Sequence, residues 1–276
     1  MSSVAPSRQP LSPPAVRAAV LAGSSLFTSA EVVGRTGSTN ADLLAAARAG
    51  AAPGSVLVAE EQTAGRGRLD RSWHSQPGAA LTFSVLLRPA GIPPAARGWL
   101  PLLTGVAIVA AIEAQTGVRA SLKWPNDVLA GGAQVSASGK LAGILAEQAG
   151  DAIVVGVGLN VSASRDELPS GQATSLWLAG ADNPDRQAIL VAILREFEDW
   201  YLSWTSGPAP GDATACGLRA AYLGCCSTIG RDVRVELPGG GVLVGQASGV
   251  DAAGCLLVSA EDGVHAVSAG DVVHVR

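Results

Sequence analysis

The chain has 276 residues, 48% of them hydrophobic, with a formal net charge of −4. That length fits one large domain plus a small one around a sizeable core. The acidic balance excludes a surface built as a whole to hold nucleic acid, so any basic function must be local. Four cysteines without a CxxC pair, and three scattered histidines, exclude a structural zinc site. They fit reduced, mostly buried thiols in a cytoplasmic protein. No run approaches the length of a membrane span, and no signal peptide opens the chain.

In chain order, residues 1–22 are polar and proline-rich and read as a disordered tail, with Val16 to Leu26 a helix or the approach to one. Glu31–Val33 reads as a short strand. Asn40 to Ala49 reads as an alanine-rich helix, preceded by Ser38 and Thr39. Two readings fit Ser38-Thr-Asn40: a helix cap, or polar side chains and free backbone N–H groups that hold a ligand. Val56–Glu60 and Ala80–Arg88 read as strands able to pair antiparallel. Between them lies Gln62-Thr-Ala-Gly-Arg-Gly-Arg-Leu-Asp-Arg-Ser-Trp73. A connection this long is uncommon in a compact domain unless it is functional. Arg66, Arg68 and Arg71 offer rigid donor forks for phosphate or carboxylate.

Ala95 to about Gln115 shows helical period and is apolar nearly all round, which predicts a buried helix. Runs 121–130, 140–147 and 152–161 read as an antiparallel meander. In the first, Pro125 denies a ladder donor and belongs at an edge or bulge. The last is nearly continuously apolar, as in a strand buried on both faces, and carries Asn160 near its end. Arg186 to Trp204 and Thr214 to Leu223 read as helices. From residue 226 the texture changes to five short strands at roughly ten-residue spacing, which predicts a small antiparallel barrel.

Ser38-Thr-Asn40, Gly65-Arg-Gly-Arg68 with Trp73, Lys123-Trp-Pro-Asn-Asp127, Gly139-Lys-Leu-Ala-Gly-Ile144 and Gly156-Val-Gly-Leu-Asn160 occur in this order. Each alone is weak; together they closely resemble the biotin protein ligase family. The resemblance implies an α+β fold: a class II aminoacyl-tRNA synthetase-like catalytic domain over 23–225, with a mixed, largely antiparallel sheet, and an SH3-like domain over 226–276. It implies ATP and Mg2+ as cofactors, biotin as substrate and a biotin carboxyl carrier domain of an acyl-CoA carboxylase as acceptor, with biotinyl-5′-AMP as intermediate. By the same likeness Ser38, Thr39, Asn40, Gln62, Arg66, Gly67, Arg68 and Lys140 bind biotin. Arg66, Arg68, Trp73, Asn126, Lys140 and Asn160 face ATP or the adenylate. Lys140, Arg66 and Asp127 are catalytic, Asp127 holding magnesium or orienting the acceptor amine.

Two departures from the family pattern stand out. The turn between Asp127 and Lys140 is long, and Leu69-Asp70 replaces a more basic stretch. An N-terminal winged helix is lacking, which implies a ligase that binds no DNA; a monomer or weak homodimer and no membrane partner are expected. Rival readings are a lipoate or octanoyl ligase or transferase, a non-catalytic biotin or nucleotide sensor, and a nucleic-acid module.

Overall fold

The computed structural model describes residues 6–69, 71–132 and 139–275. Asp70 and residues 133–138 of the long turn after Asp127 thus lie outside the described residues. Seven strands form the larger sheet: β1 (Ser29–Thr36), β2 (Ser55–Gln62), β3 (Ala80–Leu87), β4 (Ala120–Lys123), β5 (Asp127–Ala130), β6 (Lys140–Ala149) and β7 (Ala152–Asn160). Their order is β1-β2-β3-β7-β6-β5-β4, with β1 and β2 parallel and the other pairs antiparallel. The sheet is therefore mixed and largely antiparallel.

Period-two alternation gives the central strands two different faces. Leu81, Phe83, Val85 and Leu87 of β3, with Ile153, Val155, Val157 and Leu159 of β7, join the main apolar core. Helices α3 (Trp99–Thr116) and α4 (Arg186–Ser206) contribute to that same core. Leu100, Leu103, Ile108 and Ile112 of α3 are fully buried, and each such side chain contributes about 1.5–3 kcal/mol. On the opposite face, α2 (Thr39–Arg48) covers only one end of the sheet, where Leu43, Leu44 and Ala47 meet Leu57, Leu86 and Val154. Beyond them the same face continues as Ser84, Gly156 and Gly158. This half-covered face is the floor of the site described below.

Several expectations are corrected. Residues 6–22 are not a tail: α1 (Pro13–Leu21) has Pro at its start, where no N–H is needed, and buries Val16 and Val20 in the main core with Leu11. Only the first five residues of the expected tail lie outside the described ones. Run 121–130 is not one strand but a β4–β5 hairpin, with Trp124-Pro125-Asn126 as its turn. The helix expected at Thr214 is α5 (Leu218–Cys225). Pro94–Thr116 is, by length and hydropathy, long and apolar enough to cross a membrane, against the sequence reading. Most of it is buried inside the protein, as suits a core helix. Of the four free cysteines only Cys226 is buried; the others are half-buried.

The second sheet is antiparallel: β8 (Asp232–Glu236), β9 (Val242–Val250), β10 (Leu256–Ala260), β11 (Gly263–Val267) and β12 (Asp271–His274), in the order β11-β10-β9-β8-β12. It is fastened to the larger part by two indoles that donate into one turn, one at the start of α3 and one in the β4–β5 turn. Trp99 Nε1 reaches the carbonyl of Ala252 at 3.0 Å, and Trp124 Nε1 that of Gly254 at 3.1 Å. The Trp124 amide donates to Thr228 Oγ1 at 3.1 Å, and that hydroxyl lies 3.2 Å from His274 Nε2.

Burial, with Lys123 and Arg231 nearby, pushes the His274 imidazole down to about 4. Its neutral form is the one that can accept from Thr228. A depressed folded value means the stability it supports is complete above the unfolded value of 6.5 and is lost as pH falls toward about 4. The thermal midpoint is expected to fall over that window, and His274→Gln to remove that part of the slope. Calorimetry in pH steps checks this; an unchanged slope in the variant counts against it.

Candidate active site

Ser38 begins α2, with its Oγ 3.5 Å from the Ala41 amide, so the capping reading is correct but weak as a bond. The two residues after it do more. Gln62 Oε1 accepts from the Thr39 amide at 2.8 Å and its hydroxyl at 3.1 Å. Ser84 Oγ lies 2.7 Å from Thr39 Oγ1 and 2.6 Å from Asn40 Oδ1. Asn40 Nδ2 donates to Glu147 at 2.8 Å and to the Leu145 carbonyl at 3.2 Å. Glu147 in turn stands 3.6 Å from Arg66. A polar chain, buried at Thr39, Asn40 and Ser84 and more exposed toward its ends, thus runs from β2 through α2, β3 and β6 to the arginine loop. Such a chain fixes side-chain positions because an unpaired member would be costly.

The glycines of β6 and β7 make room for this arrangement. A Cβ at Gly156 would stand 2.1 Å from Asn40 Oδ1, and one at Gly158 would stand 2.3 Å from the Trp73 indole. One at Gly143 would lie 3.5 Å from the same ring. The indole thus lies flat on a glycine floor, and its Nε1 is buried without a protein partner.

Backbone and side-chain contacts together hold the arginine loop. Trp73 N donates to Gly65 O at 2.9 Å, and Gly67 N to Arg71 O at 2.6 Å. Arg71 pairs with Asp271 of β12. Arg68 Nη1 donates to Asn126 Oδ1 at 3.2 Å and lies 3.4 Å from Gly270 O. Burial lowers the Arg68 guanidinium from its ordinary value, opposed by Asp271 and Asp127. At the tip, Leu69 is 60% exposed and takes φ of 53°, a left-handed conformation disfavoured for a leucine.

Lys140 Nζ lies 2.6 Å from Asp127 Oδ1. Neighbouring strands bring them together: β5 and β6 pair Asp127 with Gly143, three residues past Lys140. The Lys140 backbone is held separately, its N–H by Gln172 O at 2.7 Å and its carbonyl by Thr174 N at 2.9 Å.

These groups converge on a cavity of about 250 Å³. Ser38, Thr39, Asn40, Gln62, Arg66, Gly67, Arg68, Trp73, Asn126, Asp127 and Lys140 all line it. Asn160 does not. It is buried, donates to Thr174 O at 3.0 Å, and lines an adjoining cavity of about 720 Å³. Lys123, Trp73, Asp127 and Lys140 border both. A pocket rich in donors therefore opens, across a lysine–aspartate pair, into a larger cleft. Sequence reasoning missed Glu147, Lys123 as a lining residue, the glycine floor, and the wall formed by Asp271, Val272 and Val273. Only the glycines carried a local signal, their spacing of two in β7. Among the described residues no group of three or more His, Cys, Asp or Glu could hold a metal.

Residues 33–162 match the model of the biotin/lipoate A/B protein ligase family, and residues 228–275 that of the biotin protein ligase C-terminal domain. The chain is 44% identical to the biotin–[acetyl-CoA-carboxylase] ligase of Mycobacterium tuberculosis over 98% of this chain and 97% of that protein. It is 34% identical to the bifunctional ligase/repressor BirA of Bacillus spizizenii, over 79% of this chain and 66% of that one. A solved structure of the Aquifex aeolicus biotin protein ligase, in complex with biotin and ATP, superposes with a TM-score of 0.72 at 28% identity, covering 91% of this chain and all of that one. The chain belongs to the biotin protein ligase family.

Proposed function

We propose that the protein attaches biotin to a lysine of a biotin carboxyl carrier domain at the expense of ATP. The observation that carries this is the pair of adjoining cavities with Lys140 and Asp127 at their junction. In the first step a biotin carboxylate oxygen bonds to the α-phosphorus of ATP, the α–β bridge breaks, and pyrophosphate leaves. In the second, the acceptor ε-amine bonds to the acyl carbon, AMP leaves, and the amine gives up a proton. The donor-lined pocket suits biotin's ureido group and the larger cleft suits the nucleotide.

Bringing two anions together needs preorganised positive charge in a site with little water. Arg66, Arg68 and Lys140 supply it. Asp127 occupies Lys140 until substrates arrive, and then has two uses: holding magnesium or taking up the acceptor's proton. A single carboxylate with phosphate oxygens suits magnesium, which need not find a cage of protein ligands. Bound there, magnesium would neutralise phosphate charge. The acetyl-CoA carboxylase acceptor follows from the relative's name. The class II synthetase-like character of the larger sheet and the SH3-like character of the smaller belong to this same reading.

The test is biotin-dependent ATP–pyrophosphate exchange, with lipoate and octanoate as controls. Exchange with biotin alone is expected; exchange with lipoate instead would move the function to the sister branch. The mixed anhydride is hydrolysable, so the 64–73 loop should close over it. Apart from the Gly67 and Trp73 amides, which are already bonded within the loop, its amides are expected to gain protection with biotin and ATP. Full protection before ligand is added would sink that expectation.

A further inference from the structure

The residues ahead of α1 are clasped to a loop that the mechanism above does not use. Arg8 donates to both carboxylate oxygens of Glu167, from Nη1 at 2.8 Å and Nη2 at 2.6 Å. It also donates from Nη2 to the Ser162 carbonyl at 3.0 Å and from Nε to the Ser162 hydroxyl at 3.3 Å. All three guanidinium nitrogens are engaged, in the fork geometry that makes arginine pairs directional. Glu167 is fixed from its other side too, accepting from the Ser164 amide at 2.8 Å and lying 3.1 Å from its hydroxyl. The Arg8 hydrogen bond is the chief reason the Glu167 carboxyl is held down at about 2.

From this clasp the chain runs straight along the larger cavity. Pro169 to Ala173 line it. At its far end the loop grips the backbone of Lys140 through Gln172 O and Thr174 N. Arg165 closes the loop on itself by donating to Ala173 O at 2.8 Å. The loop is thus pinned at one end to a catalytic lysine and at the other to Arg8. Arg8 itself borders neither cavity.

We infer that Arg8 is a positioning residue for the nucleotide: by fixing Glu167 it sets where the 165–173 loop stands beside the larger cavity, and so governs ATP affinity without touching ATP. The inference rests on the ligase reading for the identity of the ligand. The N-terminal segment has independent moorings. Arg186, buried and paired with Glu60 at 2.7 Å, donates to the Gln9 carbonyl at 2.7 Å, and the Leu11 amide donates to Glu60 at 2.6 Å. Replacing Arg8 therefore removes the clasp and leaves the segment docked.

The experiment uses the full chain and three variants: Arg8→Ala, Glu167→Gln, and the exchange Arg8→Glu with Glu167→Arg. Glu167→Gln keeps the side chain's size and its place beside Ser164. Steady-state KM is measured for ATP and for biotin, with thermal midpoints alongside. Arg8→Ala is expected to raise the KM for ATP about tenfold with the KM for biotin within about twofold. Glu167→Gln should shift it the same way by less, and the charge exchange should recover most of the loss. A merely structural role would move both KM values together with the midpoint, and that pattern overturns the inference. So does an unchanged KM for ATP in Arg8→Ala. A wild-type chain with no biotin-dependent exchange sinks the ligase reading and this inference together. A wild-type chain that exchanges, beside an Arg8→Ala variant that keeps its KM for ATP, sinks this inference alone.

Discussion

Lys140→Ala is expected to lower biotin-dependent ATP–pyrophosphate exchange roughly a thousandfold while leaving the fold intact. Two magnitudes decide this. The Lys140–Asp127 pair is partly solvated, the side chains being 35% and 23% exposed. Breaking it should therefore cost no more than about 1 kcal/mol of stability. A preorganised cation facing developing charge on a phosphate is worth about 3–4 kcal/mol of barrier, the larger effect. Lys140→Arg should recover little, because a planar fork cannot take the place of a compact ammonium confined beside Gly143. Exchange assayed beside thermal unfolding checks both halves. A folded Lys140→Ala protein that keeps a tenth of wild-type exchange would remove Lys140 from the chemistry.

Gly156→Ala and Gly158→Ala should fail in different ways, although they differ by one methyl at positions two apart. In an ordinary strand, Gly→Ala is neutral or stabilising by about 0.5–1 kcal/mol. At Gly156 the added carbon would meet Asn40 Oδ1 at 2.1 Å, and Asn40 is buried and bonded at both ends of its amide. It cannot withdraw without leaving Ser84 or Glu147 unpaired. We expect a loss of about 1–3 kcal/mol of stability, with biotin binding lost as well. At Gly158 the clash is with the Trp73 indole, which sits on a loop and is only half-buried. The ring can swing away, so stability should hold while exchange falls at least tenfold. Denaturant midpoints and exchange rates for both variants test the pair. Equal loss of stability at the two positions would contradict the two-faced reading of β7.

That strand also shows how much was legible in the residues. Ile153-Val-Val-Gly-Val-Gly-Leu-Asn160 reads easily as buried on both faces, which is correct. Its finer message is the alternation of large residues at 153, 155, 157 and 159 with a series that shrinks from Val154 to glycine and ends in Asn160. One face packs into the core and the other floors the smaller cavity, and period-two spacing already contained that. The five motifs likewise named most of the groups that line the smaller cavity, because each is a short local turn or strand end. Other features were out of reach. Asp271 meets Arg71 across 200 residues of chain, and no local pattern encodes so distant a meeting. The first residues misled because their composition is that of a coil. The apolar side of α1 is short, and its order comes from Glu60, Glu167 and Arg186 far along the sequence.

The two tryptophans that donate into the 252–254 turn have a consequence for modularity. Compositional texture changes at residue 226, but the apolar cluster does not stop there: Leu122 and Trp124 belong to the same core as Val233, Val250 and Val258. The two sheets are thus separate in ancestry of pattern and joined in cooperativity, and the chain should melt as one unit. A fragment ending at the compositional seam would uncover two indoles and lose one wall of its own cavity. The small sheet supplies part of the cavity wall, through Asp271, Val272 and Val273, so it is not a detachable appendage of the larger one.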